Sequence, residues 1–234
     1  MANLTIVTPC RDFAGPLYEQ YRRQIDHLEW ERGSLLIVMV EGDSIDETPQ
    51  MLAAWQRHDS RVTIVTHNTG KRRFPSEESD ERFEHLSGII TAGLDAVDLQ
   101  WSDYVLMLPS DIKYKPDLAQ RLVAWDKDII APMVWMDDGW FYDSWAFRYL
   151  GGGQFGAVRH LWDNQTGGHP TEPFEMASVG GTNMINAEVL RAGCQYTPEA
   201  VDVGLCAWAR ELGFHVWADP TTNVDHVRTD WRAF

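Results

Sequence analysis

The 234-residue sequence has few cysteines, few basic residues and no long hydrophobic run. Its three cysteines, Cys10, Cys194 and Cys206, are too scattered for a disulfide framework or a zinc knuckle, so we expect a reducing, cytoplasmic compartment. The 20 Lys and Arg residues against 35 Asp and Glu residues give a net charge of -15, which disfavours non-specific binding to nucleic acid or anionic lipid. No apolar run reaches the ~20 residues of a spanning helix and no signal peptide is visible, so we expect no membrane span.

Apolar runs alternate with amphipathic segments along the first half of the chain. The patterns predict strands over residues 4–8, 35–40, 62–66 and 104–108, helices over 17–28, 48–57 and 82–97, and a charged loop over 70–84. Strand 129–135, an irregular stretch (136–173), regular structure over 177–185, helix 201–212 and strand 214–218 follow. Such strands separated by helices are typical of a parallel sheet covered on both faces. We predict an α/β fold with a mostly parallel central sheet flanked by helices, in a single domain over residues 1–234.

Polar residues follow the first two predicted strands. Thr8, Pro9 and Arg11 end the first strand, and Glu41 ends the second. Loops after parallel strands meet at one edge of the sheet, where ligands bind in such folds. Arg11 suits a nucleobase or a phosphate, with a solvated surface charge as the alternative, whereas Glu41 can accept hydrogen bonds from a base or a ribose. For Asp46, capping of the next helix is the favoured interpretation.

Further acidic residues and a histidine follow the later predicted strands. Ser110 and Asp111 come after the fourth strand, where a carboxylate can ligate a hard cation, with a turn cap as the alternative. Paired with Asp111, His226 becomes a candidate second metal ligand. Asp202 lies at the start of the predicted helix 201–212, where a carboxylate also interacts favourably with the helix dipole.

The order and spacing of these segments resemble those of GT-A glycosyltransferases. The segment Val40-Glu41-Gly42-Asp43-Ser44-Ile45-Asp46-Glu47-Thr48 is similar to the family-2 pattern V-D-D-G-S-x-D-x-T, and Leu108-Pro109-Ser110-Asp111 stands where the D-x-D motif belongs. Residues 82–94 resemble the helix before the metal strand, 177–181 the acceptor-side strand, 199–209 the E-D helix and 224–227 the late histidine. The chain is similar both to the mannan-polymerase mannosyltransferases of fungi and to phage-type transferases.

This resemblance implies a metal-dependent glycosyltransferase that moves a hexose from a UDP- or GDP-sugar to a hydroxyl acceptor. It implies Asp111 and His226 as ligands of Mn²⁺ or Mg²⁺. It also implies Asp202 as the catalytic base if the enzyme inverts, or as a sugar-holding residue if it retains. The implied donor-binding residues are Thr8, Pro9, Arg11, Glu41, Arg82, Ser110 and Asp111, with Lys71 as a further phosphate contact. Pro109 replaces the first acid of D-x-D, which leaves ribose recognition to Ser110 or Glu41.

The tryptophans between Trp135 and Trp162 predict an aromatic platform for the acceptor, with a buried core as the alternative interpretation. A glycan or a small molecule is the favoured acceptor. The phage-type resemblance allows a modified base in DNA as the acceptor, with the DNA bound by a local basic rim of Lys71, Arg72, Arg73, Arg148 and Arg159.

Two other functions stay open. One is a nucleotidyltransferase of similar fold, disfavoured because no Gly-rich loop follows the first strand, and the other is a non-catalytic nucleotide- or glycan-binding protein.

Overall fold

A nine-stranded mixed sheet lies at the centre of the computed structural model, which describes residues 1–71, 74, 79–159 and 170–227. The strands are β1 (Leu4–Cys10), β2 (Leu35–Glu41), β3 (Val62–Thr66), β4 (Tyr104–Met107), β5 (Ile112–Lys113), β6 (Ile129–Met136), β7 (Phe174–Met176), β8 (Asn183–Asn186) and β9 (Val216–His226). Their order is β3-β2-β1-β4-β8-β6-β9-β5, and β7 also pairs with β9. Strands β1 to β4, β6 and β9 point the same way, whereas β5, β7 and β8 run antiparallel to them. The predicted α/β fold with a mostly parallel sheet is confirmed.

Helices cover both faces of this sheet. They are α1 (Pro16–Asp26), α2 (Thr48–His58), α3 (Asp80–Leu94), α4 (Leu118–Ala124), α5 (Ala187–Arg191) and α6 (Val201–Glu211). Side chains alternate along β2, so that Ile37 packs in the apolar layer under α1, α2 and α4, whereas Val38 packs in the layer under α3 and α6. No helix in the described ranges is long and apolar enough to cross a membrane. The assignment of residues 1–234 to one domain stays a prediction.

Helix α3 packs directly against the sheet and begins at the edge where the parallel strands end. A Cβ at Gly93 would lie 2.6 Å from a Val40 methyl group and 2.7 Å from a Val7 methyl group, so no larger residue fits there. Ser79 caps the other end of α3, because its Oγ accepts a hydrogen bond from the Arg82 amide at 3.3 Å. This cap places Arg82 in the first turn, close to the loops that follow the parallel strands.

Strand β9 is longer than the sequence predicts. The predicted strand covers 214–218 and is followed by a tail, whereas β9 continues to His226. Pro220 and the polar residues on either side of it are residue types that commonly end a strand. However, the buried Asp219 accepts hydrogen bonds from the Thr221 amide (2.8 Å), the Thr221 hydroxyl (2.7 Å) and the Thr222 hydroxyl (2.6 Å), and the strand resumes after this bulge. The prediction of a tail after residue 218 is therefore wrong, because pairing with β6 resumes at Asn223 beyond this local bulge.

Other differences concern short elements. Strands β5 and β7 and helices α4 and α5 lie in segments for which the sequence predicts no element, because elements this short depend on packing rather than on their own pattern. The predicted charged loop over 70–84 is wrong for its last residues, since α3 begins at Asp80. Residues 72, 73 and 75–78 of that segment lie outside the described ranges.

Candidate active site

The carboxyl ends of the parallel strands meet along one edge of the sheet. Cys10 at the end of β1 pairs with Glu41 at the end of β2, which in turn pairs with Thr66 of β3. Met136 and His226 pair at the ends of β6 and β9. We call residues 8–14, 41–48 and 66–71 the β1–β3 loops. Asp111, Asp143, Asp202 and His226 form what we call the acid–histidine cluster.

In the first of the β1–β3 loops, the predicted residues are tied into the protein to different degrees. The Thr8 side chain is fully buried and its hydroxyl bonds to the Tyr21 hydroxyl of α1, so it does not face the edge. Pro9 is half-buried beside it. Arg11 donates to the Lys71 carbonyl at 3.0 Å and lies 3.8 Å from the Asp12 carboxylate. The structure therefore brings Arg11 to the edge and leaves the Thr8 side chain in the core.

The second of these loops is held by its own carboxylates. Glu41 is buried, and its Oε1 accepts a hydrogen bond from the Ser44 amide at 3.2 Å. Asp46 accepts from the Thr48 amide and from the Ala14 amide, each at 3.0 Å, so it closes the start of α2 and joins two loops. The N-cap position of α2 is Glu47, so Asp46 bonds to the first helical residue from one position before the cap.

Asp43 joins the β2 loop to the β3 loop. Its carboxylate accepts hydrogen bonds from the Thr69 amide (3.0 Å), the Thr69 hydroxyl (2.7 Å) and the Gly70 amide (2.9 Å). Burial alone would raise the pKa of Asp43, but these hydrogen bonds and the nearby Arg11 charge lower it to about 2. Asp43 is thus a structural anion, ionised at every physiological pH.

Two basic residues predicted to contact phosphates lie near the start of α3. Lys71 Nζ lies 3.7 Å from Glu84 and 4.0 Å from Glu81, so this lysine pairs with the helix. Arg82 in the first turn of α3 acts electrostatically on Tyr142 and Asp143, and it therefore lies toward the acid–histidine cluster. Arg82 therefore lies on the side of the second half of the edge, whereas Lys71 belongs to the first half.

Asp111 and His226 meet where β5 pairs with the end of β9. Asp111 Oδ2 lies 3.2 Å from His226 Nε2, and both side chains keep part of their surface exposed. The backbone fixes this approach, because Ile112 pairs with His226 and the Val227 amide donates to the Asp111 carbonyl at 2.8 Å. Ser110, half-buried, precedes Asp111 in the same loop. The two residues that the resemblance singled out as metal ligands are therefore neighbours in space although 115 positions separate them in sequence numbering.

Tyr142 supports the imidazole of His226. The two rings stack with centroids 3.7 Å apart and planes inclined by 15°. The Tyr142 amide donates to the Val134 carbonyl of β6 at 2.9 Å, which fixes the tyrosine relative to the sheet. The ring orientation of His226 is therefore set by a neighbour that the sequence did not single out.

Asp143 and Asp202 both close on the glycine pair Gly180-Gly181. A Cβ at Gly180 would lie 2.9 Å from Asp143 Oδ2 and 3.0 Å from Asp202 Cγ, so only glycine leaves room for both carboxylates. Asp202 accepts from Asn183 Nδ2 at 3.2 Å and from the Gly181 amide, and the preceding Val201 has φ 44°. A β-branched residue rarely adopts this left-handed conformation, and such strain is concentrated at functional sites.

The environment of the pair favours protonation. Burial and then the charge of Asp143 raise the pKa of Asp202 to about 7, against the hydrogen bonds from Asn183 and Gly181. Burial raises the pKa of Asp143 to about 6, against the Ala146 amide and the charges of His226 and Arg82. Two like charges placed close together cannot both ionise easily, so near neutral pH the pair shares protons.

The tryptophan-rich segment only partly fits the predicted platform. Trp135 is fully buried in the core, so its assignment to an aromatic platform is wrong. Trp145 stacks on Phe83 of α3 with ring centroids 4.6 Å apart, which anchors the segment that carries Tyr142 and Asp143. Trp140 is 58% exposed and is free to meet a ligand. Trp162 lies outside the described residues.

Comparison with solved structures identifies this architecture. The chain superimposes on GalNAc-T7, crystallised with UDP, GalNAc and Mn²⁺, with a TM-score of 0.67 at 13% identity. It superimposes on S. aureus TarS 1–349, crystallised with UDP-GlcNAc, with a TM-score of 0.62 at 10% identity. Both belong to the GT-A type. This chain has the GT-A fold.

The superposition on GT-A proteins extends over nearly all of this chain but not over theirs. It covers 98% of this chain and 59% of the TarS chain, and 97% of this chain and 44% of the GalNAc-T7 chain. No protein-family model matches the sequence, and no curated protein matches it either. At these identities the likeness establishes the fold, and the chemistry has to be argued from the residues of the GT-A edge itself.

Sequence reasoning missed Asp143 and Tyr142. Both lie in the irregular stretch 136–173, where no periodic pattern relates a residue to the sheet edge. The one available signal was Gly180-Gly181, because paired glycines mark a close approach by another group. The sequence gives no indication of which residue makes that approach.

Proposed function

We propose that this chain is a metal-dependent glycosyltransferase that moves a hexose from a UDP- or GDP-sugar to a hydroxyl acceptor. The observation that carries the proposal is the meeting of Asp111 and His226 at the edge of a GT-A sheet, beside the paired carboxylates Asp143 and Asp202. A nucleotide-sugar donor is supported by the similar structures, which contain UDP-GlcNAc in one case and UDP, GalNAc and Mn²⁺ in the other.

A divalent cation fits the Asp111–His226 pair. One carboxylate oxygen and one imidazole nitrogen suit Mn²⁺ or Mg²⁺, and such ions commonly complete their coordination with phosphate oxygens and water. Within the described ranges, no cluster of three or more His, Cys, Asp or Glu side chains could hold a metal ion. The protein would therefore supply two ligands and the donor the remainder. When bound, the cation neutralises the charge that develops on the leaving diphosphate.

The β1–β3 loops suit the nucleotide. Glu41 is held at the end of β2 by the Ser44 amide, and Arg11 is held across the loops by the Lys71 carbonyl. Since the Thr8 side chain is committed to Tyr21, contact at this position would come from the backbone of Thr8 and from Pro9. Ser110 remains the candidate for the ribose, and Arg82 for the phosphates.

Asp202 is the general base of the proposed reaction. A base works best when its pKa lies near the working pH, and the pKa of about 7 meets this condition. The Asp202 carboxylate takes the proton of the acceptor hydroxyl, whose oxygen bonds to the anomeric carbon while the bond from that carbon to the diphosphate breaks. Attack and departure on opposite sides invert the anomeric centre. Asp143 is a positioning residue in this scheme, because its charge helps to raise the basicity of Asp202.

The acceptor side is formed by the segment that carries Tyr142, Asp143 and Trp145. Trp140 offers an exposed aromatic face on that segment, which suits stacking on a sugar ring. The net charge of -15 disfavours a polynucleotide, because backbone binding normally recruits many Lys and Arg residues. We therefore favour a glycan or a small molecule as acceptor.

The decisive experiment is an assay of nucleotide release. The protein is incubated with UDP- and GDP-hexoses, with Mn²⁺, with Mg²⁺ or with EDTA, and with a panel of sugar acceptors. We expect metal-dependent release of UDP or GDP and a glycosylated product with inverted anomeric configuration by NMR. Tight nucleotide binding without turnover on any donor would instead favour a non-catalytic binding protein, and release of pyrophosphate from a nucleoside triphosphate and a sugar phosphate would favour a nucleotidyltransferase.

A further inference from the structure

A cleft lies next to the acid–histidine cluster, along the β5–β9 edge of the sheet. It has a volume of about 240 Å³. Lys113 pairs with Asp225 in the strand register, and both line the cleft. Asp111 lies immediately before β5, two residues from Lys113, and His226 follows Asp225 directly in β9. Because a strand advances about 3.4 Å per residue, the cleft begins within roughly 7 Å of the Asp111–His226 pair along the backbone.

The cleft concentrates positive charge in an acidic protein. Its charged lining residues are Lys113, Lys115, Arg121, Arg159, Asp117 and Asp225. Arg121 lies 3.8 Å from Asp117, and Arg159 pairs with Asp225. Both lysines are exposed and form no ion pair with any described residue, which leaves two positive charges uncompensated. An excess of this kind stands out in a chain whose net charge is -15.

The wall that carries Arg121 is preorganised. Arg121 donates to the Thr222 hydroxyl at 2.9 Å and to the Thr221 carbonyl at 2.8 Å. Both threonines belong to the β9 bulge that the buried Asp219 holds, and Asp219 also accepts from Trp125 Nε1 at 3.1 Å. A charge fixed in this way costs little ordering entropy when a ligand binds, whereas the lysines can swing to meet it.

We propose that this cleft binds a phosphate group carried by the acceptor. The two lysine ammonium groups are the donors for the phosphate oxygens, and the Arg121 guanidinium, whose N–H groups bond to Thr221 and Thr222, adds a fixed positive charge beside them. This proposal rests on the proposed function. The cleft adjoins the Asp111–His226 pair, where sugar transfer is proposed, so a phosphate bound in the cleft would belong to the acceptor. A small phosphorylated sugar fits better than a nucleic acid, since the strongly acidic remainder of the surface repels a long polyanion.

The first test measures binding alone. Inorganic phosphate is titrated at constant ionic strength into ¹⁵N-labelled protein, and amide shifts are followed by NMR. We expect saturable shifts at residues 113–115 and 221–225. The double variant Lys113→Gln/Lys115→Gln should bind phosphate roughly tenfold more weakly or worse, since each charge-assisted hydrogen bond lost is worth more than a neutral one. The control Arg57→Gln/Arg210→Gln removes the same charge from exposed sites elsewhere and should bind as the wild type does.

The second test connects the cleft to transfer. Wild-type kcat/KM for a phosphorylated sugar should exceed that for its dephosphorylated form by roughly tenfold, and Lys113→Gln/Lys115→Gln should lose this preference. Absence of saturable shifts at the cleft overturns the proposal whether or not the chain transfers sugar. Displacement of phosphate from the cleft by UDP or GDP without metal would assign the cleft to the donor and overturn it too, as would faster transfer to duplex DNA than to any sugar phosphate. If the cleft binds phosphate but the protein transfers sugar from no donor, the phosphate site is confirmed and its role in acceptor binding is overturned. Failure of the proposed function is therefore distinguished from failure of the phosphate site.

Discussion

The two halves of the GT-A edge treat their carboxylates in opposite ways. In the β1–β3 loops, Asp43 accepts three hydrogen bonds and its pKa is lowered to about 2, so it is a permanent anion that fastens one loop to another. In the acid–histidine cluster, burial raises the pKa of Asp143 to about 6, and burial together with the charge of Asp143 raises the pKa of Asp202 to about 7. The first arrangement stabilises a shape, whereas the second keeps proton affinity available for chemistry.

This contrast shows how to separate structural from chemical acids in one site. A carboxylate whose lone pairs are satisfied by amides has little left to offer a substrate, and its loss is felt as instability. A buried carboxylate that lies close to a like charge destabilises the folded state when it is ionised. Such an unfavourable pair is therefore an indication of a functional site. The following predictions test the contrast, beginning with the largest expected effect.

Asp202→Asn should cause the largest loss of activity. Without a general base, kcat should fall by roughly 100- to 10,000-fold. Stability should change in the other direction. A raised carboxyl pKa means that the folded state binds more protons than the unfolded one, so the wild type loses stability as pH rises from about 4 toward 7. Thermal unfolding at pH 5 and pH 8 should therefore show a smaller fall in Tm for the variant. If Tm falls equally in the variant and the wild type and kcat is unchanged, Asp202 is neither the general base nor a carboxyl group with a raised pKa.

Asp111→Asn and His226→Gln should each lower kcat/KM by about 100-fold or more, because stabilisation of the leaving group is lost. Thermal unfolding of Asp111→Asn should stay close to that of the wild type, since Asp111 is partly exposed. His226→Gln should lower Tm by a few degrees, since His226 is buried and stacks on Tyr142. The Mn²⁺ concentration needed for half-maximal activity should rise in both. Asp95→Asn, an exposed acid at the far end of α3, is the matched control. Near-normal activity of either site variant in EDTA would show that the metal site is misassigned.

Asp143→Asn should shift the pH dependence rather than abolish activity. Removing this charge lowers the pKa of Asp202, so the base is ionised at lower pH and the acid limb of kcat moves down. We therefore expect the ratio of activity at pH 6 to that at pH 8 to rise. Asp137→Asn, an exposed acid on the same segment, should leave this ratio unchanged. A profile identical to that of the wild type would remove Asp143 from the positioning role.

Asp43→Asn should have the smallest effect on catalysis and a clear effect on stability. Loss of charge-assisted hydrogen bonds to Thr69 and Gly70 should cost about 1–2 kcal/mol and lower Tm by a few degrees. The lowered pKa means that Asp43 stabilises the fold above about pH 4 and loses this effect toward pH 2. We expect a rise of less than about tenfold in donor KM and an unchanged kcat. Glu47→Gln in the same loop is the control, and a kcat loss as large as that of Asp202→Asn would erase the difference between the two halves.

Sequence patterns located the residues next to strongly apolar strands better than the rest of the edge. Glu41 and Asp111 follow strongly apolar strands, and the end of such a strand fixes the position of the next residue in an α/β sheet. His226 was placed through the resemblance rather than through any pattern, since Pro220 hides the strand that carries it. Asp143 could not be placed at all, because it depends on a nonperiodic segment folding back over Gly180. The Thr8 hydroxyl was also out of reach, because its direction depends on the packing of Tyr21.

The length of β9 has a consequence for how the protein is made. Strands β1 to β4 and the helices between them are joined by local connections, so they can assemble while synthesis continues. Strand β9 must instead find β6, β7 and β5, and His226 is among its last residues. The β1–β3 loops can therefore form early on the ribosome, whereas the imidazole of His226 reaches Asp111 only after β9 has emerged. Termination between β8 and β9 would yield a chain that contains the β1–β3 loops but lacks the Asp111–His226 pair.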